Sequence, residues 1–174
     1  MAGKVKVDMK WQPSSFGLAN VIGQLPKEIR SWAVQGIAEI AKQARDDVQK
    51  LTPGDRLPQG WVVKTEQNPA KFSQIVTNED PRAYKKVRLK SGGTTNLVEM
   101  LEYGTRPHEI TPKNKKYLRF VDNGQVIYTK HVEHPGTRAY GMVRITTIRT
   151  LPKVAQLQNL ISAMLDRKVK RGGR

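Results

Sequence analysis

Cysteine is absent from this chain of 174 residues. Its absence excludes a disulfide framework, a thiolate zinc site and a cysteine nucleophile. The sequence also lacks an apolar run of about eighteen residues, the length that crosses a bilayer. Its first residues, MAGKVKVDMKWQPS, do not contain the apolar core of a signal peptide. We therefore expect a protein that is made and used, or assembled, in a reducing cytoplasm.

Sequence signatures of catalysis are also missing. There is no phosphate-binding loop, no GxGxxG turn and no GxSxG nucleophile elbow. The three histidines, His108, His131 and His134, are close together in the sequence, which could indicate a metal site. However, no helix carries two of them at ligand spacing, and histidines more often fix loops through hydrogen bonds. The chain is predicted to have no enzymatic activity, cofactor or metal, with a metal-dependent enzyme as an alternative.

Acidic residues are scarce beside basic ones. The chain has 31 Lys and Arg against 15 Asp and Glu, a formal net charge of +16. Such a surface attracts polyanions, and nucleic acid in particular. The alternative is a basic surface that serves solubility alone. Because no helix-turn-helix, zinc finger or aromatic-rich strand is present, the charge is expected to act on a phosphate backbone regardless of sequence.

Apolar periodicity predicts a long first helix over residues 25–51. An apolar stripe recurs at three- and four-residue steps through this stretch. Pro26 suits the first helical position, and Thr52-Pro53-Gly54 ends the helix. The preceding residues, 1–24, mix Gly, Ser, Pro and Asn and are predicted to form an N-terminal arm that orders on a partner.

Short β-strands are predicted at residues 61–67 and 72–77, separated by an Asn68-Pro69 turn. Residues 82–90, RAYKKVRLK, then carry five basic side chains and lead into Ser-Gly-Gly-Thr-Thr. A flexible, strongly positive loop or hairpin is expected here. A solvated edge strand guarded by lysines is the alternative, since edge protection uses the same residues.

Capping and turn signals organise the second half of the chain. Asn96 is predicted to cap a short helix that ends at Tyr103-Gly104. Asn123-Gly124 lies between two β-rich runs and predicts a β-hairpin over residues 117–129. The aromatic residues of this hairpin are expected to belong to the core rather than to stack on bases: Tyr117, Phe120 and Tyr128.

A last helical region follows Ala139 and is predicted to be interrupted at Leu151-Pro152. The predicted class is α+β, with a long N-terminal helix and a C-terminal helix packed on a small, mostly antiparallel β-sheet. The predicted organisation is an N-terminal arm over 1–24, a single domain over 25–168 and a basic C-terminal tail over 169–174.

Two Gly-Thr-Arg phrases frame the predicted hairpin, in EYGTRPHEITPKNKKYLRF (102–120) and HPGTRAYGM (134–142). Their glycines permit positive φ and their threonines can bond neighbouring backbone groups, which are roles in turns rather than in reactions.

The order of these motifs resembles the tail-completion family of long-tailed bacteriophages, also called neck or head–tail joining proteins. The family pattern is an amphipathic helix closed by a Thr-Pro turn, then strands, an E-x-Gly-Thr phrase, a Leu-x-Phe strand, a His-Pro-Gly-Thr phrase and a last helix. The matching segments here are 41–53, 102–105, 108–120, 134–137 and 152–167. The sequence departs from the family after the Thr-Pro turn, where PGDRLPQGW replaces a Thr-Gly followed by a basic residue, and in its long basic stretch over 78–95.

The resemblance implies a structural virion protein without turnover. Members form a ring, usually of about six copies, at the head-proximal end of the tail. The implied partners are further copies of the chain, a head-completion or connector protein, a tail terminator or tail tube protein, and the double-stranded DNA that passes through the lumen. The implied location is the neck of the virion, and the host cytoplasm during assembly. A free-standing, sequence-nonspecific nucleic-acid-binding protein is the alternative.

Two sets of candidate site residues follow. Six copies would carry about +96, six times +16, which DNA or acidic partner rings must neutralise. We therefore expect five basic residues to face the lumen or an acidic neighbour: Arg82, Lys85, Lys86, Arg88 and Lys90. The N-terminal arm and residues 166–174 are expected to reach adjacent proteins. A second set is expected to build two loops, with the histidines locking them by hydrogen bonds: Gly104, Thr105, His108, His134, Gly136 and Thr137.

Overall fold

The computed structural model describes residues 25–68, 71–89 and 92–172, with three α-helices and eight β-strands. The helices are α1 (Lys27–Leu51), α2 (Leu97–Tyr103) and α3 (Met142–Gly172). The strands are β1 (Trp61–Asn68), β2 (Lys71–Asn78), β3 (Val87–Arg88), β4 (Thr94–Thr95), β5 (His108–Ile110), β6 (Leu118–Asp122), β7 (Gln125–Thr129) and β8 (Val132–His134). The predicted α+β class is confirmed, while the predicted N-terminal arm lies outside the described residues.

The strands pair two by two. β1 pairs with β2, β3 with β4, β5 with β8 and β6 with β7, all antiparallel. The predicted strands at 61–67 and 72–77 and the hairpin at 117–129 are therefore confirmed. The expected small sheet, however, is four separate ribbons in the described part of the chain. Residues of the long helices cover the buried side of β1 and β2.

The two long helices pack antiparallel along each other. Glu28, near the start of α1, contacts Lys168 near the end of α3, with Oε2 and Nζ 3.3 Å apart. Midway, Lys153 Nζ donates to Gln43 Oε1 over 2.7 Å. The side chain of Leu157 lies against Gly36, where an added Cβ would come within 2.8 Å of a Leu157 methyl. The small residues of the predicted apolar stripe thus let α3 approach closely.

Among the described residues, the core consists of two clusters along α1. The first joins the C-terminal half of α1 to β1, β2, α2 and the start of α3: Ala44, Val48, Leu57, Trp61, Val76, Ala83, Val98 and Met142. The second joins the N-terminal half of α1 to β2 and the C-terminal half of α3: Leu25, Ile29, Ala33, Phe72, Leu157 and Ile161. Each fully buried large apolar side chain stabilises the fold by about 1.5–3 kcal/mol.

A buried threonine holds the first cluster together at the end of α1. The Thr52 hydroxyl donates to the Val48 carbonyl over 2.6 Å and accepts from Trp61 Nε1 over 2.8 Å. It also lies 3.2 Å from the sulfur of Met142. Thr52 therefore closes α1 and satisfies the buried indole of β1 beside the start of α3, which is why the Thr-Pro turn carries a threonine.

α3 is continuous, and the predicted interruption at Pro152 is wrong. Proline has no N–H, so the helical bond to the carbonyl of Ile148 is missing. Ile148 and Pro152 are both exposed, so that carbonyl lies on the solvent side of the helix. The buried face continues across the proline through Thr150 and Val154 and stabilises the helix. Because α3 extends to Gly172, most of the predicted tail at 169–174 is the last helical turn.

Candidate functional site

The chain between α2 and α3, residues 104–138, forms a two-stranded excursion that we call the extended ribbon. Its base, the proximal ribbon, is β5 with β8. The same register begins outside these strands, where Thr105 pairs with Thr137 through N–H···O bonds of 2.8 and 3.2 Å. The two Gly-Thr-Arg phrases, separated in the sequence, therefore lie side by side and form the root of the ribbon.

Glycine is required at the two points of this root where one Gly-Thr-Arg phrase passes close to the backbone of the other. Gly104 has φ +75°, and a Cβ there would lie 2.6 Å from the carbonyl oxygen of Thr137. Gly136 has φ +87°, and a Cβ there would collide with the carbonyl oxygen of Thr105. Each glycine thus makes room for the other phrase, so both phrases need the residue for the same reason.

Two of the three histidines face each other across the proximal ribbon. The rings of His108 and His134 are 5.1 Å apart, and the residues are register partners. His134 Nδ1 accepts from the Gly136 N–H over 3.0 Å, and His108 Nδ1 lies 2.9 Å from the Arg106 carbonyl oxygen. Each histidine thus fixes its own turn.

These bonds assign complementary tautomers. His134 carries its proton on Nε2, whereas His108 uses its Nδ1 proton to donate. The pair therefore does not present two free Nε2 lone pairs to a metal ion. In the described parts of the chain, no three His, Asp or Glu side chains are grouped closely enough to hold one.

Glu102 connects the short helix to the long one, a contact that the sequence analysis missed. Its buried carboxylate accepts from the backbone N–H groups of Val143, over 2.8 Å, and Arg144, over 3.0 Å. These are among the first N–H groups of α3, which have no partner inside the helix. The E-x-Gly-Thr phrase thus supplies the N-terminal cap of α3 as well as the root of the ribbon. In the sequence, the signal for this contact is a glutamate two residues before the glycine that ends α2.

The outer half of the extended ribbon, the distal ribbon, is β6 with β7. Asn123 (φ +46°) and Gly124 (φ +80°) form its turn, as the Asn-Gly signal predicts. The expectation that its aromatics are core residues is wrong. The exposed fraction is 41% for Tyr117, 38% for Phe120 and 64% for Tyr128. Alternation along the strands gives both faces apolar side chains, but no described element packs over them.

No residue from 103 to 140 is buried. A lone two-stranded ribbon is at best marginally stable in water, because it cannot bury one face. The extended ribbon carries exposed apolar residues, namely Ile110, Tyr117, Phe120, Val121, Val126 and Tyr128. An exposed apolar surface of this kind indicates a site at which another molecule binds.

The basic stretch forms a second, smaller projection, β3 with β4. Ala83 is fully buried, and the Tyr84 hydroxyl accepts from the Asn78 N–H over 3.1 Å, so the start of the stretch is fixed to the core. Arg82 binds the Asp80 carboxylate, with its Nε 2.9 Å from Oδ1. This contact lowers the pKa of Asp80 to about 2.

The five basic candidates therefore divide. Arg82 is engaged by Asp80, while Lys85, Lys86 and Arg88 are exposed on the projection, and Lys90 lies outside the described residues. We call the three exposed residues the basic triad. A loop or hairpin was expected, and the structure has a short hairpin.

None of the helices that the structure describes is both long and apolar enough to span a membrane. Comparisons of the chain with protein-family models, curated proteins and solved structures find no match. The resemblance to tail-completion proteins stays a prediction from the sequence motifs.

Proposed function

We propose that this chain is a structural subunit of a phage-type tail-completion ring. In this role, copies assemble side by side at the head-proximal end of a tail, contact connector and tail proteins, and surround the double-stranded DNA that passes through the lumen. The extended ribbon is the single observation that carries the proposal, since it exposes apolar side chains that no other described element of the subunit covers.

Other features support the same role. The net charge of +16 and the exposed basic triad suit a surface that lies close to phosphates. The capped junction of α2 and α3 fixes the root of the ribbon to the body, so that a partner bound to the ribbon is held in a defined position relative to the helices. These are properties of a building block, which needs projecting contacts on a rigid body.

Assembly is the first test. Light scattering and negative-stain microscopy of the purified chain, alone and with purified tails, should give a closed ring with a central lumen. The free-standing DNA-binding alternative predicts a monomer that binds duplex DNA tightly, with steep salt dependence and no assembly. That result, or antibody labelling that misses the head–tail junction of finished particles, would refute the proposed function.

DNA contact by the basic triad is the second test. Replacing Lys85, Lys86 and Arg88 with Gln should lower the salt slope of ring–DNA binding by about 0.9 for each phosphate that the ring no longer neutralises. The matched control replaces three exposed lysines of α1 with Gln: Lys27, Lys42 and Lys50. Equal slopes for the two triple variants would show that the basic triad does not face DNA.

A further inference from the structure

Two apolar surfaces of low net charge stand out on this strongly basic chain. The first is one face of the distal ribbon, where Val121 pairs with Val126 and Arg119 with Tyr128. The exposed fraction is 59% for Val121, 46% for Val126 and 64% for Tyr128. Within residues 118–129, Arg119 and Asp122 are the only charged residues, so the distal ribbon has no net charge. Its basic neighbours lie in the connections to the proximal ribbon: Lys113, Lys115, Lys116 and Lys130.

The second surface is the outward face of α3. Ile148 is 62% exposed and Leu151 is 49% exposed, and Ala155 continues the same face one turn later. Between residues 150 and 165 the sole charged residue is Lys153, whose ammonium donates to Gln43 of α1. We call Ile148, Leu151 and Ala155 the outer face of α3.

We propose that the distal ribbon of one copy packs on the outer face of α3 of a second copy. This inference rests on the proposed ring, since it names the contact that joins its subunits. The two patches differ in shape and position, so their contact is heterologous, and repetition closes a ring or continues as a filament.

Charge identifies a second copy as the occupant. Two chains of +16 repel each other least where the net charge is low. The distal ribbon has no net charge, because Arg119 is balanced by Asp122, and the outer face of α3 carries apolar side chains flanked by Arg144 and Arg149 on its N-terminal side only. A phosphate backbone would instead attract a basic ribbon, whereas the distal ribbon has Asp122 beside its turn and no lysine. Exposed Tyr and Arg beside valines match the composition of protein interfaces.

Disulfide trapping tests the contact directly, because the chain has no cysteine of its own. Tyr128→Cys and Leu151→Cys are made in separate chains, mixed and oxidised. The expected product is a mixed disulfide dimer. The double Tyr128→Cys/Leu151→Cys chain should give a series of cross-linked oligomers on a non-reducing gel, the largest of which has the number of copies in the ring. The matched control pairs Tyr128→Cys with Gln59→Cys, an exposed position on neither surface, and should give no dimer.

Assembly without engineered cysteines provides the second measurement. Leu151→Asp should raise the concentration for half-assembly by about tenfold, because it places a charge in the contact. Leu89→Asp, at an exposed apolar position in the hairpin of β3 and β4, should leave it unchanged.

The outcomes separate this contact from the proposed function. Rings that form without the mixed disulfide would overturn the contact and leave the ring standing. A mixed disulfide in open filaments would support the contact and overturn the ring. Three other outcomes would each overturn the inference. They are a disulfide dimer formed by Tyr128→Cys chains without Leu151→Cys, a chain that does not assemble at any concentration, and a Tyr128→Cys thiol that is protected from modification by duplex DNA but not by assembly.

Discussion

Replacing Glu102 provides the sharpest test of how the ribbon is fixed to the body. Glu102 is 7% exposed, and its carboxylate accepts two backbone N–H groups at the start of α3. Glu102→Ala leaves both N–H groups without this partner and removes a negative charge from the positive end of the helix dipole. Glu102→Gln keeps one acceptor oxygen but turns an amide N–H₂ toward a donor, so its effect should be intermediate.

The magnitude follows from the two bonds. A hydrogen bond to a charged group contributes about 1.5–3 kcal/mol, and the two share one carboxylate. We expect Glu102→Ala to lower the free energy of unfolding by about 3 kcal/mol. For a chain of this length, that corresponds to roughly 6–12 °C in Tm.

Urea unfolding followed by circular dichroism measures the effect, with an unchanged slope indicating that only stability has changed. The matched control is Glu79→Gln. Glu79 also loses a partner, the ammonium of Lys64 at 2.6 Å, but both side chains are half exposed. A surface pair of this kind contributes about 0–1 kcal/mol. If Glu102→Ala costs no more than Glu79→Gln, the carboxylate does not cap α3.

Three further predictions concern single side chains. Thr146→Val should raise the free energy of unfolding by about 1 kcal/mol, because the buried Thr146 hydroxyl has no partner in the described chain. A lower free energy of unfolding in urea would contradict this. His134→Ala should weaken the protection of the Gly136 amide in hydrogen exchange by about 1 kcal/mol, because the amide loses its acceptor. His134→Asn can accept the same bond and should retain protection. Equal protection in both variants would show that the bond is dispensable. Asp80 has a pKa of about 2, below its ordinary 3.8, so its pairing with Arg82 stabilises the fold above about pH 4 and is lost as pH falls through 2. The stability gap to Asp80→Asn should therefore close between pH 4 and pH 2, and a constant gap in urea unfolding at both values would count against the pair.

Elements with local signals could be predicted from the sequence. The apolar period of α1, the Asn96 cap of α2 and the Asn-Gly turn each depend on residues a few positions apart. The Asn96 side chain, for example, accepts from the Glu99 N–H over 2.9 Å, as a capping residue does. Local rules suffice there because the partners are sequence neighbours.

Features set by distant partners could not be predicted. The pairing of Thr105 with Thr137 joins residues that are far apart in the sequence, although repetition of Gly-Thr-Arg hinted at it. The exposure of Tyr128 was missed because alternating apolar residues normally indicate a buried face, and the sequence does not show that no other element covers the ribbon. The continuity of α3 across Pro152 could not be predicted from the proline, because packing on both sides of a proline can keep a helix intact.

The connections between the proximal and distal ribbons have unequal lengths. Residues 111–117 link β5 to β6, whereas only residues 130 and 131 link β7 to β8. The two-residue link keeps the ends of β7 and β8 close together, so we expect the angle at which the outer strands leave the inner pair to depend mainly on the longer link. Changing the length of 111–117 should therefore re-aim the outer strands while the glycine crossing stays in place. In the proposed ring, a change of length in this one loop would change the direction in which each subunit presents its outer strands.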